Sequence, residues 1–204
     1  QMCIRDRGIP TLVGSYIDPS FEIMLHGENG ILGIGPHAEG KRRDIDLINA
    51  GKEPVTLLSG ASYFSSDISF TMLRGWHLDI CILGAYQVSE KGDIANWQAP
   101  GRTFGGMGGA MDIAAGAKHL IVIMTQTAKD GSPKIVKECS YPLTAKRAVN
   151  RIITDLAVID VENDGLLLRE LLPGVSVDEL KAITEPPLRI ANDLKPVSYT
   201  HLTL

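Results

Sequence analysis

Apolar residues in this chain gather in short continuous runs rather than in strict alternation with polar ones. Val55-Thr-Leu-Leu58, Asp79-Ile-Cys-Ile-Leu83, Leu120-Ile-Val-Ile-Met124 and Ala157-Val-Ile-Asp-Val161 are the clearest. Such runs suit strands buried on both faces, as in a parallel sheet with helices on each side. Helix-like segments lie between them. Ser66 to Arg74 sets Ile68, Met72 and Leu73 near one face, with Ser65, Ser66 or Asp67 available as the N-cap. Ala110 to Ala117 follows a glycine cluster, and Thr144 to Ile153 follows Pro142 with a capping Thr. Strand alternating with helix predicts an α/β fold with a mainly parallel sheet flanked by helices. The C-terminal part reads differently. Ala157 to Val161, the turn Glu162-Asn-Asp-Gly165 and Leu166 to Leu171 predict a β-hairpin, with Asp-Gly supplying the positive-φ turn. Ser176-Val-Asp-Glu179 matches a capping box and opens a short helix to about Thr184, ended by Pro186-Pro187.

With 204 residues, at roughly 150 residues per domain, the chain is expected to form one domain. Lys and Arg total 20 against 24 Asp and Glu, a net charge of −4, which excludes the basic signature of a nucleic-acid-coating protein. Apolar residues at 44% and charged residues at 22% exclude a disordered chain. No uninterrupted apolar stretch approaches about 18 residues, so no spanning helix is expected. Cys3, Cys81 and Cys139 match neither a zinc pattern nor a C-x-x-C redox pair. Their context, with no basic-then-apolar leader, predicts a reducing compartment and a cytoplasmic location. Both ends differ from the rest. Residues 1–7 and 197–204 read as non-native terminal sequence, the latter after a Pro-rich coil, which leaves residues 8–196 as a single domain.

Glycine is high at 21 residues, and its clusters mark the candidate chemistry. The first is Leu25-His-Gly-Glu-Asn-Gly-Ile-Leu-Gly-Ile-Gly-Pro36, where Glu28 is the one acid among Gly27, Gly30, Gly33 and Gly35. Glycine permits tight turns and close approach of a ligand to the backbone. A carboxylate there is partly desolvated, which favours a nucleophile or base; the plain alternative is a turn with an exposed Glu. Gly33-Ile-Gly35-Pro-His-Ala38 also fits the dinucleotide pattern G-x-G-x-x-A by letter. Pro36 removes a backbone N–H, however, and Glu39 to Asp44 reads as a polar loop. The second cluster, Gly101 to Asp112, places Gly105, Gly106, Gly108 and Gly109 before an Ala-rich helix start, whose backbone N–H groups favour anions and oxyanions; its plain alternative is a flexible loop. The third candidate, Lys129-Asp-Gly-Ser-Pro-Lys134, is a basic loop at the carboxyl end of a strand, where α/β proteins bind phosphates or simply present a solvated loop. His37, His77 and His119 lack metal-ligand spacing, and no metal is expected.

These blocks occur together in a recognisable order. Glu28-Asn29-Gly30, Gly33-x-Gly35-Pro36, Asp46-Leu-Ile-Asn-Ala-Gly-Lys52, Leu58-x-Gly-Ala-Ser62, Gly84-Ala-x-Gln-Val88, Gly92-Asp-x-Ala-Asn-Trp97, Gly106-Met-Gly-Gly-Ala-Met-Asp112 and Tyr141-Pro-Leu-Thr144 resemble the B (beta) subunit of family I 3-oxoacid CoA-transferases over nearly all of Gly8 to Leu194. The resemblance implies the CoA-transferase fold and CoA transfer between an acyl-CoA such as succinyl-CoA and a 3-oxoacid. Glu28 would be the nucleophile, carrying CoA as a covalent glutamyl thioester in a ping-pong reaction. Asn29, Gly30, Gly33, Gly35, Gly108 and Gly109 would bind substrate and CoA. Gly109 would lie against the thioester and help stabilise the oxyanion, with Gly33 and Gly35 shaping the floor. The resemblance further implies a partner A subunit, coenzyme A as co-substrate with no bound cofactor, and no nucleic-acid or membrane partner.

Glu138 to Thr144 and Thr154 to Val158 look more like the 3-oxoadipate branch than the acetoacetate one. The chain departs from the pattern in three places. The family's Ser before the Glu is Gly27, Arg-Gly-Gly-His reads Arg74-Gly-Trp-His77, and the first strand is expected to be missing, replaced by residues 1–7. Two other readings remain open. One is an acyl-CoA thioester hydrolase on the same scaffold. The other is a non-catalytic domain that binds a phosphorylated metabolite.

Overall fold

Most of the apolar runs become strands, because Val and Ile pack well on a pleated surface. The computed structural model describes residues 2–4, 9–18, 20–49, 51–101 and 106–197. In chain order the strands are β1 (Met2–Ile4), β2 (Leu25–Gly27), β3 (Ile31–His37), β4 (Val55–Tyr63), β5 (Ile80–Leu83), β6 (Gln87–Ser89), β7 (Ile94–Ala95), β8 (His119–Ile123), β9 (Ile135–Val136), β10 (Val149–Ile153), β11 (Ala157–Glu162), β12 (Gly165–Leu171) and β13 (Leu188–Pro196). The helices are α1 (Ser66–Arg74), α2 (Ala110–Gly116) and α3 (Val177–Ala182), with 3-10 turns at Ile9–Tyr16 and Gly40–Arg42. The fold is α/β with few helices and mixed sheets. Two compact units divide it: Gln1–Gly84 with Gly106–Ile121, and Ala85–Gly105 with Val122–Leu204. The residues 8–196 expected to form a single domain are thus divided between two units.

The first unit carries strands in the order β8-β5-β1-β2-β3-β4. β1 runs parallel to both β5 and β2, and β2, β3 and β4 follow antiparallel. The place expected to lack a strand is therefore filled by Met2–Ile4, with Met2 paired to Leu25 and Ile80. Three extended residues suffice there because β2 and β5 both offer ladder groups that need partners. Leu73, Leu78, Cys81, Leu83, Ile113 and Leu120 form the core. Burial on both faces holds for Cys81 to Leu83 but not for β4, an end strand with Leu58 and Tyr63 exposed.

Helix α1 spans the expected residues with Ser65 at the N-cap position but without a side-chain capping bond, and it buries Ser69 and Leu73 while Ile68 stays exposed. Its end is a Schellman motif: Trp76 N–H donates to the Leu73 carbonyl and His77 N–H to that of Met72. Trp76 holds the left-handed position with φ 60°, a place that favours glycine, and the residue is 60% exposed. A non-glycine residue there costs on the order of 1 kcal/mol or more. Trp76→Gly is therefore expected to stabilise the protein by about 0.5–1 kcal/mol, after the entropic cost of glycine, and raise the melting temperature by about 1–4 °C. Calorimetry of the variant beside the parent checks this, and a lower melting temperature would contradict it.

In the second unit, β10, β11 and β12 are antiparallel, β13 adds parallel to β12, and β7, β6 and β9 form a small sheet. Ile94, Ile135, Ile152, Ile159, Leu166, Leu168 and Leu180 are fully buried. The hairpin is as expected, with Glu162 opposite Gly165 and φ 113° at Gly165. The capping box at Ser176 and Glu179 is present. An ion-pair chain crosses the four strands, from Arg151 to Asp160, Arg169, Glu162 and Arg189.

Two expectations fail in this unit. Thr144 to Ile153 is not a helix. The Thr144 hydroxyl donates to Asn96 Oδ1 at 2.7 Å, its N–H donates to the Ile94 carbonyl at 2.7 Å, and Arg147 turns with φ 50°. These bonds tie the segment to β7 and release Val149–Ile153 as β10, paired with β11. The stretch before residue 197 is not a coil either. It is β13, nine residues long, whose Pro196 stands at the strand's last position and so interrupts no interior ladder bond.

Candidate active site

The Glu28 loop is a three-residue turn between β2 and β3, closed by Gly30 N–H to the Gly27 carbonyl at 3.0 Å. Gly30 adopts φ 108°, and a Cβ there would run into the Phe64 carbonyl. Phe64 N–H donates to the Gly30 carbonyl at 3.0 Å, so the end of β4 clasps the turn from outside. The chain gains a sharp corner that presents Glu28 half-buried. Its Oε2 is buried and has no hydrogen-bond partner among the described residues. Buried carboxylate oxygens are normally paired, so an unpaired one marks a place for something to bind or react.

Gly109 borders that oxygen. A Cβ built on Gly109 would collide with Glu28 Oε2 and would lie 2.7 Å from Cε1 and 2.9 Å from Cζ of Phe70. Gly109 itself has φ −76°, which any residue adopts, whereas Gly108 has φ 53°. Of the two glycines, Gly108 answers a conformational demand and Gly109 a demand for close approach. The helices behind them are locked together. A Cβ at Gly116 would overlap the Leu73 carbonyl, and Arg74 bonds Asp112 at 2.8 Å while lying 6.0 Å from the Phe70 ring centre. Helix α1 thus holds Phe70, and the N-cap of α2 is Gly109, whose Cβ position borders both that ring and the Glu28 carboxylate.

Sequence reasoning missed His26. It is 1% exposed, with Nε2 3.1 Å from the buried Ser69 Oγ and its ring stacked on Phe64 at 5.7 Å. Burial pushes its imidazole down to about 4. A three-residue strand has too little periodicity to announce which of its side chains turns inward.

A family model described as Coenzyme A transferase matches residues 5–182. The chain belongs to the coenzyme A transferase family. It is 49% identical over 187 residues to a protein of Bacillus subtilis (strain 168) named as the B subunit of a probable succinyl-CoA:3-ketoacid coenzyme A transferase, covering 92% of this chain and 87% of that one. It is 48% identical over 182 residues to the B subunit of the 3-oxoadipate CoA-transferase of Pseudomonas putida, covering 89% and 85%. The crystal structure of an acyl-CoA transferase apoenzyme from Escherichia coli O157:H7 superposes with a TM-score of 0.75 at 23% identity; it covers 97% of this chain and 40% of that one, a likeness of fold.

For this CoA-transferase chain, the structure brings Glu28, Gly30 and Gly109 together, with Gly108 adjacent, and sends the other expected residues elsewhere. Asn29 is exposed and donates Nδ2 to the Ile48 carbonyl at 2.7 Å, which anchors the following loop. Gly33 and Gly35 face β4, where a Cβ would stand 3.0 Å from Ala61 and 2.7 Å from Thr56 Oγ1. Gly33 to His37 lies inside β3 and is followed by the 3-10 turn Gly40–Arg42 rather than an α-helix, so the letters of a dinucleotide loop have no such loop beneath them. Any side chain at Gly27 would meet Asn29 Oδ1 at 2.6 Å and Ile34 at 2.9 Å, which accounts locally for glycine in place of serine. The basic loop lies in the second unit. Asp130 Oδ1 accepts from Ser132 N–H and Oγ, Lys129 is exposed, and Lys134 is half-buried with its pKa lowered by burial. Residues 102–105 of the second glycine cluster and 198–204 of the tail lie outside the described residues.

Proposed function

We propose that Glu28 carries coenzyme A between an acyl-CoA such as succinyl-CoA and a 3-oxoacid, 3-oxoadipate or acetoacetate, in a ping-pong cycle. The observation that carries this reading is the buried, unpartnered Oε2 of Glu28 against a glycine that leaves room for a thioester. The Glu28 carboxylate attacks the thioester carbonyl, the C–S bond breaks, and CoA leaves as thiolate from a mixed anhydride. The thiolate then attacks the glutamyl carbonyl and releases the donor acid, leaving CoA on Glu28 as a thioester. The acceptor carboxylate runs the same two steps in reverse and restores free Glu28. No electron or proton is gained or lost over the cycle, so coenzyme A is a co-substrate and no resident cofactor is required. Excluding water matters, because hydrolysis would waste the anhydride.

The relatives' names support pairing with an A subunit. Cys81 and Cys139 are free thiols, in keeping with a cytoplasmic location. No helix among the described residues is long and apolar enough to cross a membrane.

Trapping tests the reading. Incubating the full chain and its A subunit with succinyl-CoA alone, then with borohydride, is expected to reduce a glutamyl thioester, and peptide mass spectrometry is expected to find the change between Phe21 and Lys41. Intersecting initial-rate lines with no donor–acid exchange would refute the cycle. Acyl-CoA consumption independent of acceptor would point to a hydrolase instead.

A further inference from the structure

We propose that His26 is a positioning residue for Glu28, tying the strand that carries the carboxylate to helix α1 through its hydrogen bond to Ser69. This rests on the reading of Glu28 as the nucleophile. His26 precedes Glu28 by two residues at the end of β2, so a rotation of that strand moves the Glu28 turn with it. The imidazole is held at two points. Nε2 lies 3.1 Å from Ser69 Oγ, and the ring stacks on Phe64 with 18° between planes. Nδ1 is buried with no partner among the described residues, so Ser69 supplies the one polar restraint on the ring seen there.

Both contacts lead back to the reacting carboxylate. Ser69 is fully buried and adjoins Phe70, the residue whose ring stands beside Gly109 and Glu28 Oε2. Phe64 clasps the Glu28 turn through its bond to the Gly30 carbonyl. One imidazole therefore joins three elements: β2 with the nucleophile, α1 with one wall of its site, and the end of β4 with the clasp. Burial keeps the ring neutral at physiological pH, so the link is a hydrogen bond between uncharged groups and adds no charge next to a carboxylate that must attack. The unpartnered Nδ1 is a cost that core packing alone would not favour, since an apolar ring would fill the same space without it.

The test measures single-turnover acylation of Glu28 by succinyl-CoA in the full chain with its A subunit. His26→Phe keeps the stacked ring and removes the bond, Ser69→Ala removes the partner, and His26→Gln restores an amide able to bond Ser69. His26→Phe and Ser69→Ala are each expected to slow acylation and kcat about tenfold or more. KM for acyl-CoA should change by less than about twofold, as for an interaction that aligns the nucleophile rather than binds substrate. The double variant should be no slower than the slower single one, because both remove the same link. His26→Gln should regain most of the rate. Should His26→Phe fail to fold, Ser69→Ala, a change of one atom, carries the test. Wild-type acylation rates in the single variants, a loss confined to KM, or additive losses would overturn the proposal. Failure of the unaltered protein to acylate at Glu28 would instead overturn the reading of Glu28, and the positioning role with it.

Discussion

Glu28→Gln is expected to abolish CoA transfer while leaving the fold unchanged. The amide matches the carboxylate in volume, and Oε2 accepts no hydrogen bond among the described residues, so the substitution exchanges one unpartnered polar atom for another. What it removes is the nucleophile. An amide does not attack a thioester, so neither the anhydride nor the enzyme thioester can form, and no other acid stands in the same glycine cluster to replace it. Loss of a covalent nucleophile typically lowers kcat by about 10⁴-fold or more. Steady-state assay with the A subunit, beside thermal melting, checks both halves of the expectation. More than a few per cent of residual activity in a freshly prepared variant would sink the assignment.

Gly109→Val is expected to cost rate far beyond stability. The Cβ would collide with Glu28 Oε2 and press on Phe70 Cε1 and Cζ at 2.7 and 2.9 Å. Of these neighbours the carboxylate yields most easily, being the end of a flexible side chain, so the nucleophile is pushed aside and the branched methyls fill the space a thioester needs. Displacing a reacting group by about 1 Å costs on the order of 10²-fold, and the expected loss in kcat/KM is at least that. The backbone tolerates the change, because φ −76° at Gly109 suits any residue, so the fall in melting temperature should be small. Gly109→Ala, which adds the Cβ alone, should fall between the parent and the valine variant. Normal turnover in Gly109→Val would show that the space in front of Glu28 is not where the thioester reacts.

The two glycines of this loop illustrate the limit of reading sequence alone. A row of glycines says that side chains are unwelcome, yet it does not say whether the reason is torsion or space. Gly108 needs positive φ and Gly109 needs the room, and the difference decides which substitution strikes the chemistry. The same limit applies to Gly33 and Gly35. As letters they belong to the Glu28 cluster, but within β3 they answer the close approach of Ala61 and Thr56.

By itself the sequence determined the features whose causes lie within a few residues. The hairpin around Gly165 and the capping box of Ser176 and Glu179 follow from turn and cap chemistry that acts over one to four positions. Glu28 stood out for the same reason, as an acid confined among glycines. Only the tertiary structure decided features that depend on distant partners. Thr144 to Ile153 carried a plausible helix signal, but bonds to Ile94 and Asn96 and pairing with β11 made it a loop and a strand. α1 carried an apolar Ile68, but a histidine from β2 drew Ser69 inward and left Ile68 outside. The apposition of Glu28 with Gly109 is of this second kind. Each residue lies in its own glycine cluster, and they meet because α1 and α2 pack so closely at Gly116 that both helices face one turn. Local propensity acts along the chain, whereas burial and pairing are settled by whatever the fold brings alongside, and a reactive site is made of the latter.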